Sequence, residues 1–260
     1  MDFNRRTVMA TIGLALSGCA LPAAKKPPIV LVHGAWHGGW CWRHVAPLLE
    51  AAGYAVHTPT LPGQGNRAVE LSDAVDLESH IRDLTGYIES RNLSDVVLVG
   101  HSYGGVVITG AADRIAARLK KLIYLDALIL ADGESLASLS GPAWAERLKT
   151  ARDQGRGLEL PAPPPEAFGV LDPADQAWIA PLLTAQPLHT FDRPLTLKNQ
   201  FGNGLNKTYI DCTAPAMASV NSFKARMRRQ PDWNMETLAC GHDAMVIAPR
   251  ELATMLSRLA

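Results

Sequence analysis

Short apolar runs alternating with amphipathic segments predict an α/β protein: a doubly wound, mostly parallel sheet with an inserted lid. Three observations carry this expectation. Pro28-Ile29-Val30-Leu31-Val32 is apolar throughout, as suits a strand covered on both faces of a parallel sheet. Val96 to Val99 runs through Gly100-His101-Ser102-Tyr103-Gly104 into an apolar, helix-compatible segment, a strand joined to a helix by a glycine-rich turn. From Ala127 to about Asn206 the alternation breaks up around Pro161-Ala162-Pro163-Pro164-Pro165, which marks 127–206 as an insertion between core segments 28–126 and 207–260.

The elements follow in order. After the first strand comes His33-Gly34-Ala35-Trp36-His37-Gly38-Gly39-Trp40-Cys41-Trp42, three tryptophans and three glycines in a tight loop. Val45, Leu48 and Leu49 then share a helix face, and Gly53 suits a helix C-terminus. Tyr54 to His57 reads as a strand, Leu61 to Gly65 as a turn, and Val75 to Arg91 as a helix with Leu77, Ile81, Leu84 and Ile88 on one side. The strand at 96–99 is followed by a helix to about Leu119, then a strand from Lys121 to Leu125 ending at Asp126. Beyond the insertion, Lys207 to Cys212 and Trp233 to Leu238 are strands, separated by a helix over about Met217 to Arg229. A final helix spans about Pro249 to Leu259. In such a sheet the loops at the strand C-terminal ends converge, which gathers 33–42, 102, 126, 213–216 and 240–243 on one edge.

The 260 residues, 47% hydrophobic, suffice for one large core, and 19% charged residues with a formal net charge of +0 give no basic footprint for nucleic acid. Cys19, Cys41, Cys212 and Cys240 form neither a disulfide scaffold nor a C-x-x-C metal pair. Cys212 and Cys240 end neighbouring predicted strands, which makes a bridge geometrically conceivable, but buried free thiols are the stronger reading. His37, His44, His57, His80 and His189 show no metal spacing, and neither a metal nor an organic cofactor is implied.

Residues 1–18 read as an export signal. Arg5 and Arg6 precede the short apolar run Val8 to Leu16, too short to span a bilayer. The arginine pair resembles a twin-arginine signal, and Leu16-Ser17-Gly18-Cys19 resembles a bacterial lipobox whose cysteine is lipidated. These features imply a protein on the periplasmic side of a bacterial membrane, anchored through Cys19, with 19–27 as a tether.

Ser102 stands in G-x-S-x-G, where a sharp strand-to-helix turn requires small neighbours. The following helix N-terminus points amides toward charge forming beside the serine. A serine hydroxyl is a weak nucleophile until an imidazole takes its proton, and Ala239-Cys240-Gly241-His242-Asp243 carries a histidine in one of the loops expected on the same edge.

Together the 33–42 loop, Gly100 to Gly105, Tyr124-Leu125-Asp126-Ala127, Tyr209-Ile210-Asp211-Cys212-Thr213 and the late Gly241-His242 resemble the α/β-hydrolase fold. More narrowly, they resemble the plant methylesterase and hydroxynitrile lyase family with its bacterial esterase relatives. The resemblance implies Ser102 as nucleophile, His242 as general base, and the amides of Ala35 and Tyr103 as the oxyanion hole. In the first loop Trp36 and His33 are the candidates for substrate contact, although at a strand end a backbone-bonded histidine is the stronger reading of His33. The lyase branch uses a threonine and a lysine where this chain has Ala35 and Asp243, which makes the lyase a minor alternative.

The departure lies after strand 207–212. The family's acid position aligns with Pro215, and proline cannot hold an imidazole. Asp126 at a strand end can replace it; Asp211, one residue too far back, and Asp243, adjacent to the histidine, are less well aimed. The sequence therefore reads as a serine hydrolase cleaving a small apolar carboxylic ester through an acyl-enzyme, with Asp126 as acid. Its rival is a non-catalytic ligand-binding lipoprotein that lost its acid at Pro215. A carboxylate on the ring nitrogen facing away from Ser102 discriminates the two.

Overall fold

The computed structural model describes residues 25–139, 141–153 and 158–260. Residues 1–18, expected to be an export signal, and Cys19 lie outside the described residues.

Six strands form one sheet in which all pairings are parallel: β1 (Ile29–Val32), β2 (Val56–His57), β3 (Val96–His101), β4 (Leu119–Leu125), β7 (Asn206–Cys212) and β8 (Trp233–Leu238), in the order β2-β1-β3-β4-β7-β8. β1 and β3 are buried at every position, which is why their sequences carry no polar alternation. Helices flank the sheet. α1 (Ala46–Ala51) packs on α10 (Pro249–Leu259), and α2 (Leu77–Ser90) on α3 (Gly104–Ile115). The expected Gly53 turn is present at φ 88°, a conformation costly for any residue with a Cβ. α2 opens on a capping box in which Asp76 accepts from Ser79 N at 2.7 Å.

Boundaries shift where tertiary pairing, rather than composition, sets them. The second strand shortens to Val56–His57, β4 starts at Leu119, and the helix expected over 217–229 contracts to α8 (Asn221–Met227). A short helix α9 (Ala244–Ile247) follows His242 directly.

Between β4 and β7 the described residues hold α4 (Leu136–Leu139), α5 (Gly141–Asp153), α6 (Pro173–Ile179) and α7 (His189–Asp192). A two-stranded antiparallel pair, β5 (Glu159–Leu160) with β6 (Gln186–Pro187), completes the insertion. It meets the core at Trp36. That residue's amide donates to Gln186 Oε1 at 3.0 Å, its indole Nε1 to Leu160 O at 3.0 Å, and its carbonyl accepts from Thr184 N at 3.0 Å.

The chain runs from β1 outward to β2, then crosses to β3 on the other side of β1. Connections leaving β1 and β3 therefore diverge to opposite sides and leave a crevice at their C-terminal ends. Ser102 follows β3 and Ala35 follows β1, so the crevice lies between them.

Candidate active site

The turn after β3 holds Ser102 at φ 50°, a strained backbone for a side chain other than glycine. Three hydrogen bonds maintain it: Ser102 N donates to Leu125 O at 3.1 Å, while Ser102 O accepts from Gly105 N at 3.0 Å and Leu128 N at 2.9 Å. The glycines make the close approach possible. A Cβ on Gly104 would lie 2.7 Å from His33 O, and one on Gly100 would lie 2.6 Å from Gly104 O. Both contacts would push α3 off the sheet, and the serine with it.

His242 lies in the connection from β8 to α9, 2% exposed, and its Nδ1 is 2.6 Å from Asp126 Oδ2. Asp126 is 0% exposed and follows β4 at φ 43°, a region that Asp tolerates better than most residues. Its backbone is anchored across the sheet by Asp126 N donating to Ile210 O at 2.8 Å. Burial opposes charge on Asp126, but the His242 hydrogen bond and the Lys224 ammonium outweigh it and hold the carboxyl below the usual range. With Nδ1–H donated to a carboxylate, the lone pair of Nε2 is left as the basic atom. Ser102 and His242 line the same cavity. Among the described residues no hydrogen bond joins the Ser102 hydroxyl to the ring, as is common before a substrate closes the geometry.

Among the described residues the amides of Ala35 and Tyr103 have no hydrogen-bond partner, unlike their neighbours Trp36 and Ser102. Such free donors beside a serine hydroxyl suit an oxyanion. The Ala35 loop is held from behind. His37 Nδ1 donates to Ala35 O at 2.7 Å and its Nε2 donates to Asp243 Oδ2 at 3.0 Å, so both ring nitrogens carry protons. Burial disfavours that cation, yet the Asp243 charge and hydrogen bond raise the His37 pKa above its ordinary value. The result is a buried imidazolium–carboxylate pair tying the β1 loop to the residue after His242.

The cavity has a volume of about 140 Å³. Trp36, Leu128, Phe168, Phe191, Met217 and Val220 form its apolar walls, and among the described residues its lining holds no Lys, Arg, Asp or Glu.

The structure brings Ser102, His242, Ala35 and Trp36 to the cavity and Asp126 to the imidazole. It does not bring His33. That ring is fully buried, donating from Nδ1 to Gly34 O at 2.8 Å and accepting Leu61 N on Nε2 at 3.0 Å, so no ring atom is left for a substrate. Burial lowers its pKa to about 3, and it stays neutral. The substrate-contact expectation for His33 is therefore corrected to a backbone brace. Asp211 turns away from His242, toward Lys224 and Arg228. Pro215 lies in an exposed turn, and Cys212 and Cys240 are unbridged with sulfurs 3.9 Å apart.

His101, His242 and Asp243 offer ligand atoms within 4.8 Å of one another. Tetrahedral ligands about 2.1 Å from one ion lie roughly 3.4 Å apart. His242 Nδ1, Asp243 Oδ2 and His101 Nε2, which donates to His242 O at 3.1 Å, are engaged within the protein, while His101 Nδ1 and Asp243 Oδ1 are buried with no hydrogen-bond partner among the described residues. Sequence reasoning missed the His37–Asp243 pair and Lys224; neither has a local pattern that marks it.

A model of the alpha/beta hydrolase family matches residues 29–255. The carbendazim hydrolyzing esterase of Nocardioides sp. (strain SG-4G) is 42% identical over 240 residues, covering 88% of this chain and 98% of that one. Methylesterase 1 of Arabidopsis thaliana is 36% identical over 107 residues, covering 40% of this chain and 41% of its own length. Among solved structures, an extracellular alpha/beta-hydrolase from a Paenibacillus species superposes with a TM-score of 0.79 at 22% identity, over 90% of this chain and 98% of that one.

Proposed function

Because the chain belongs to the alpha/beta hydrolase family, we propose that it is a serine esterase acting on small, uncharged carboxylic esters through an acyl-enzyme. The observation that carries this reading is the 2.6 Å contact between Asp126 and His242, a histidine that lines the same cavity as Ser102.

Ser102 Oγ attacks the ester carbonyl as His242 Nε2 removes its proton, and the Asp126 carboxylate supports the imidazolium that forms. The carbonyl oxygen becomes an oxyanion received by the Ala35 and Tyr103 amides. Collapse of this intermediate expels the alcohol, which takes the proton from His242. Water then attacks the acyl carbon as His242 Nε2 takes its proton, and that proton passes to Ser102 Oγ as the C–Oγ bond breaks and the acid departs.

The cavity supports this substrate class. Its volume of about 140 Å³ resembles an apolar cavity of about 150 Å³ that accepts a benzene-sized guest. With no cation among the described lining residues, a free carboxylate on the substrate would lose its hydration without a partner. Carbendazim, named for the Nocardioides relative, is the first specific compound to test.

The test is turnover of p-nitrophenyl acetate and benzoate beside a p-nitrophenyl ester bearing a second, free carboxylate. Neutral esters should show a p-nitrophenol burst absent in Ser102→Ala, and the charged ester should be slower by on the order of 10²-fold or more, equivalent to about 3 kcal/mol. Equal turnover of all three would contradict the substrate class, and a burst in Ser102→Ala would contradict the nucleophile.

A further inference from the structure

Asp126 faces more than His242. Its second oxygen, Oδ1, accepts the Cys212 amide at 3.1 Å and lies 2.7 Å from the ammonium of Lys224. Lys224 comes from α8, with a side chain 3% exposed. Its Nζ also lies 2.8 Å from Asp211 Oδ1 and donates to Cys212 O at 2.9 Å. Three N–H donors meet three acceptors, so the ammonium is saturated with no water required. Asp211 in turn takes Arg228 on its other oxygen. An unbroken line of alternating partners thus runs His242–Asp126–Lys224–Asp211–Arg228.

Burying an ammonium is costly, and a strand end can be tied to a helix by apolar contacts at no such cost. Phe223 and Met227, both buried on the same helix, already provide them. What apolar contacts cannot supply is a positive charge against a carboxylate that is itself 0% exposed. While His242 is neutral it offers Asp126 a hydrogen bond but no charge, and a buried carboxylate so placed tends to take up a proton. A protonated Asp126 would no longer support the imidazolium.

We infer that Lys224 is a positioning residue for the reaction proposed above: it holds Asp126 ionised and pins Oδ1, so that Oδ2 stays aimed at His242 Nδ1. Lys224 lets an acid at the end of β4 serve where the turn after β7 has Pro215. The inference rests on the serine-esterase reading, and its test separates the two.

The experiment is a double-mutant cycle on steady-state hydrolysis of p-nitrophenyl acetate, using Lys224→Met, Asp126→Asn and the pair, with Ser102→Ala as reference. Lys224→Met should lower kcat by on the order of 10²-fold with KM within about threefold, because the effect is on transition-state support and not on the cavity. In the Asp126→Asn background the same change should cost less than about threefold, since residues acting as one unit are not additive. Losses that multiply, or a Lys224→Met enzyme with wild-type kcat, would overturn the inference. Should Lys224→Met fail to fold, Lys224→Gln, which removes the charge and keeps a hydrogen-bond donor, takes its place in the same cycle with the same thresholds. A further tenfold drop in the pair relative to Asp126→Asn would then contradict the role. If Ser102→Ala retains full turnover, the esterase reading itself falls. If Ser102→Ala is inactive and Lys224→Met is not impaired, only the role of Lys224 falls.

Discussion

Asp126 Oδ2 and His242 Nδ1 meet at 2.6 Å across 116 positions of sequence. The carboxylate comes from the end of β4 and the imidazole from the connection after β8, with β7 lying between those strands. Asp126 spans that gap because its backbone turns at φ 43° and its amide is fixed to Ile210.

Asp126→Asn follows from this contact. An amide can still meet Nδ1 but can present the wrong group to it, stabilising the tautomer whose Nε2 is already protonated. The expected loss in kcat is about 10⁴-fold, the cost of the equivalent change in a serine protease, with KM little changed. Steady-state kinetics on a neutral p-nitrophenyl ester check it. A loss below about tenfold would make Asp126 structural.

Stability should fall steeply in mild acid. His33, His101 and His80 are buried and neutral, their pKa values lowered to about 3, about 3 and about 4 by burial first of all. The unfolded chain takes up these three protons near pH 6.5, while the folded chain resists until far lower pH, so the stabilisation present above 6.5 drains as pH falls toward 4. Each histidine contributes about 1.4 kcal/mol per pH unit in that range, about 4 kcal/mol together. His37 has a raised pKa; its stabilisation is complete below 6.5 and is lost only as pH rises through its folded value. Urea midpoints at pH 7, 6 and 5 measure the trend, and a flat profile would contradict the neutral, buried assignment.

The His37–Asp243 pair makes a separate prediction. His37→Met strands a buried carboxylate that is ionised at neutral pH and should cost about 3–5 kcal/mol in urea unfolding. Replacing both partners, His37→Met with Asp243→Leu, should cost less than the single change because no charge remains unpaired. A double variant less stable than His37→Met would contradict the ion pair.

Much of this site is legible in sequence because short-range chemistry dictates it. Ser102 needs its glycines within a few residues, and the apolar runs of β1 and β3 require burial on both faces. Asp126 is legible as a carboxylate at a strand end, while its partner is a matter of sheet order. Lys224 is not legible. Nothing in Ser222 to Arg229 separates it from Arg226 or Arg228, since its burial depends on where α8 settles against β7. His33 misleads for the same reason: the backbone of Leu61, 28 residues on, occupies the ring nitrogen that local sequence leaves open. Trp36 adopts φ 65° because Gln186, 150 residues later, receives its amide.

The address is tested apart from the fold. Cys19→Ala should move the protein from the membrane fraction to the soluble fraction on cell fractionation, since the acyl chains would be attached at that residue. Among the described residues no helix is long and apolar enough to cross a membrane. Unchanged membrane association would contradict lipidation at Cys19.

The central claim is that Ser102 is a nucleophile activated by His242 and Asp126, and covalent capture tests it without knowledge of the natural substrate. A fluorophosphonate probe followed by peptide mapping should place one adduct on Ser102, none in Ser102→Ala, and a rate of labelling lowered by on the order of 10²-fold or more in His242→Ala and in Asp126→Asn. Labelling of another residue, or wild-type labelling rates in both of those variants, would contradict it.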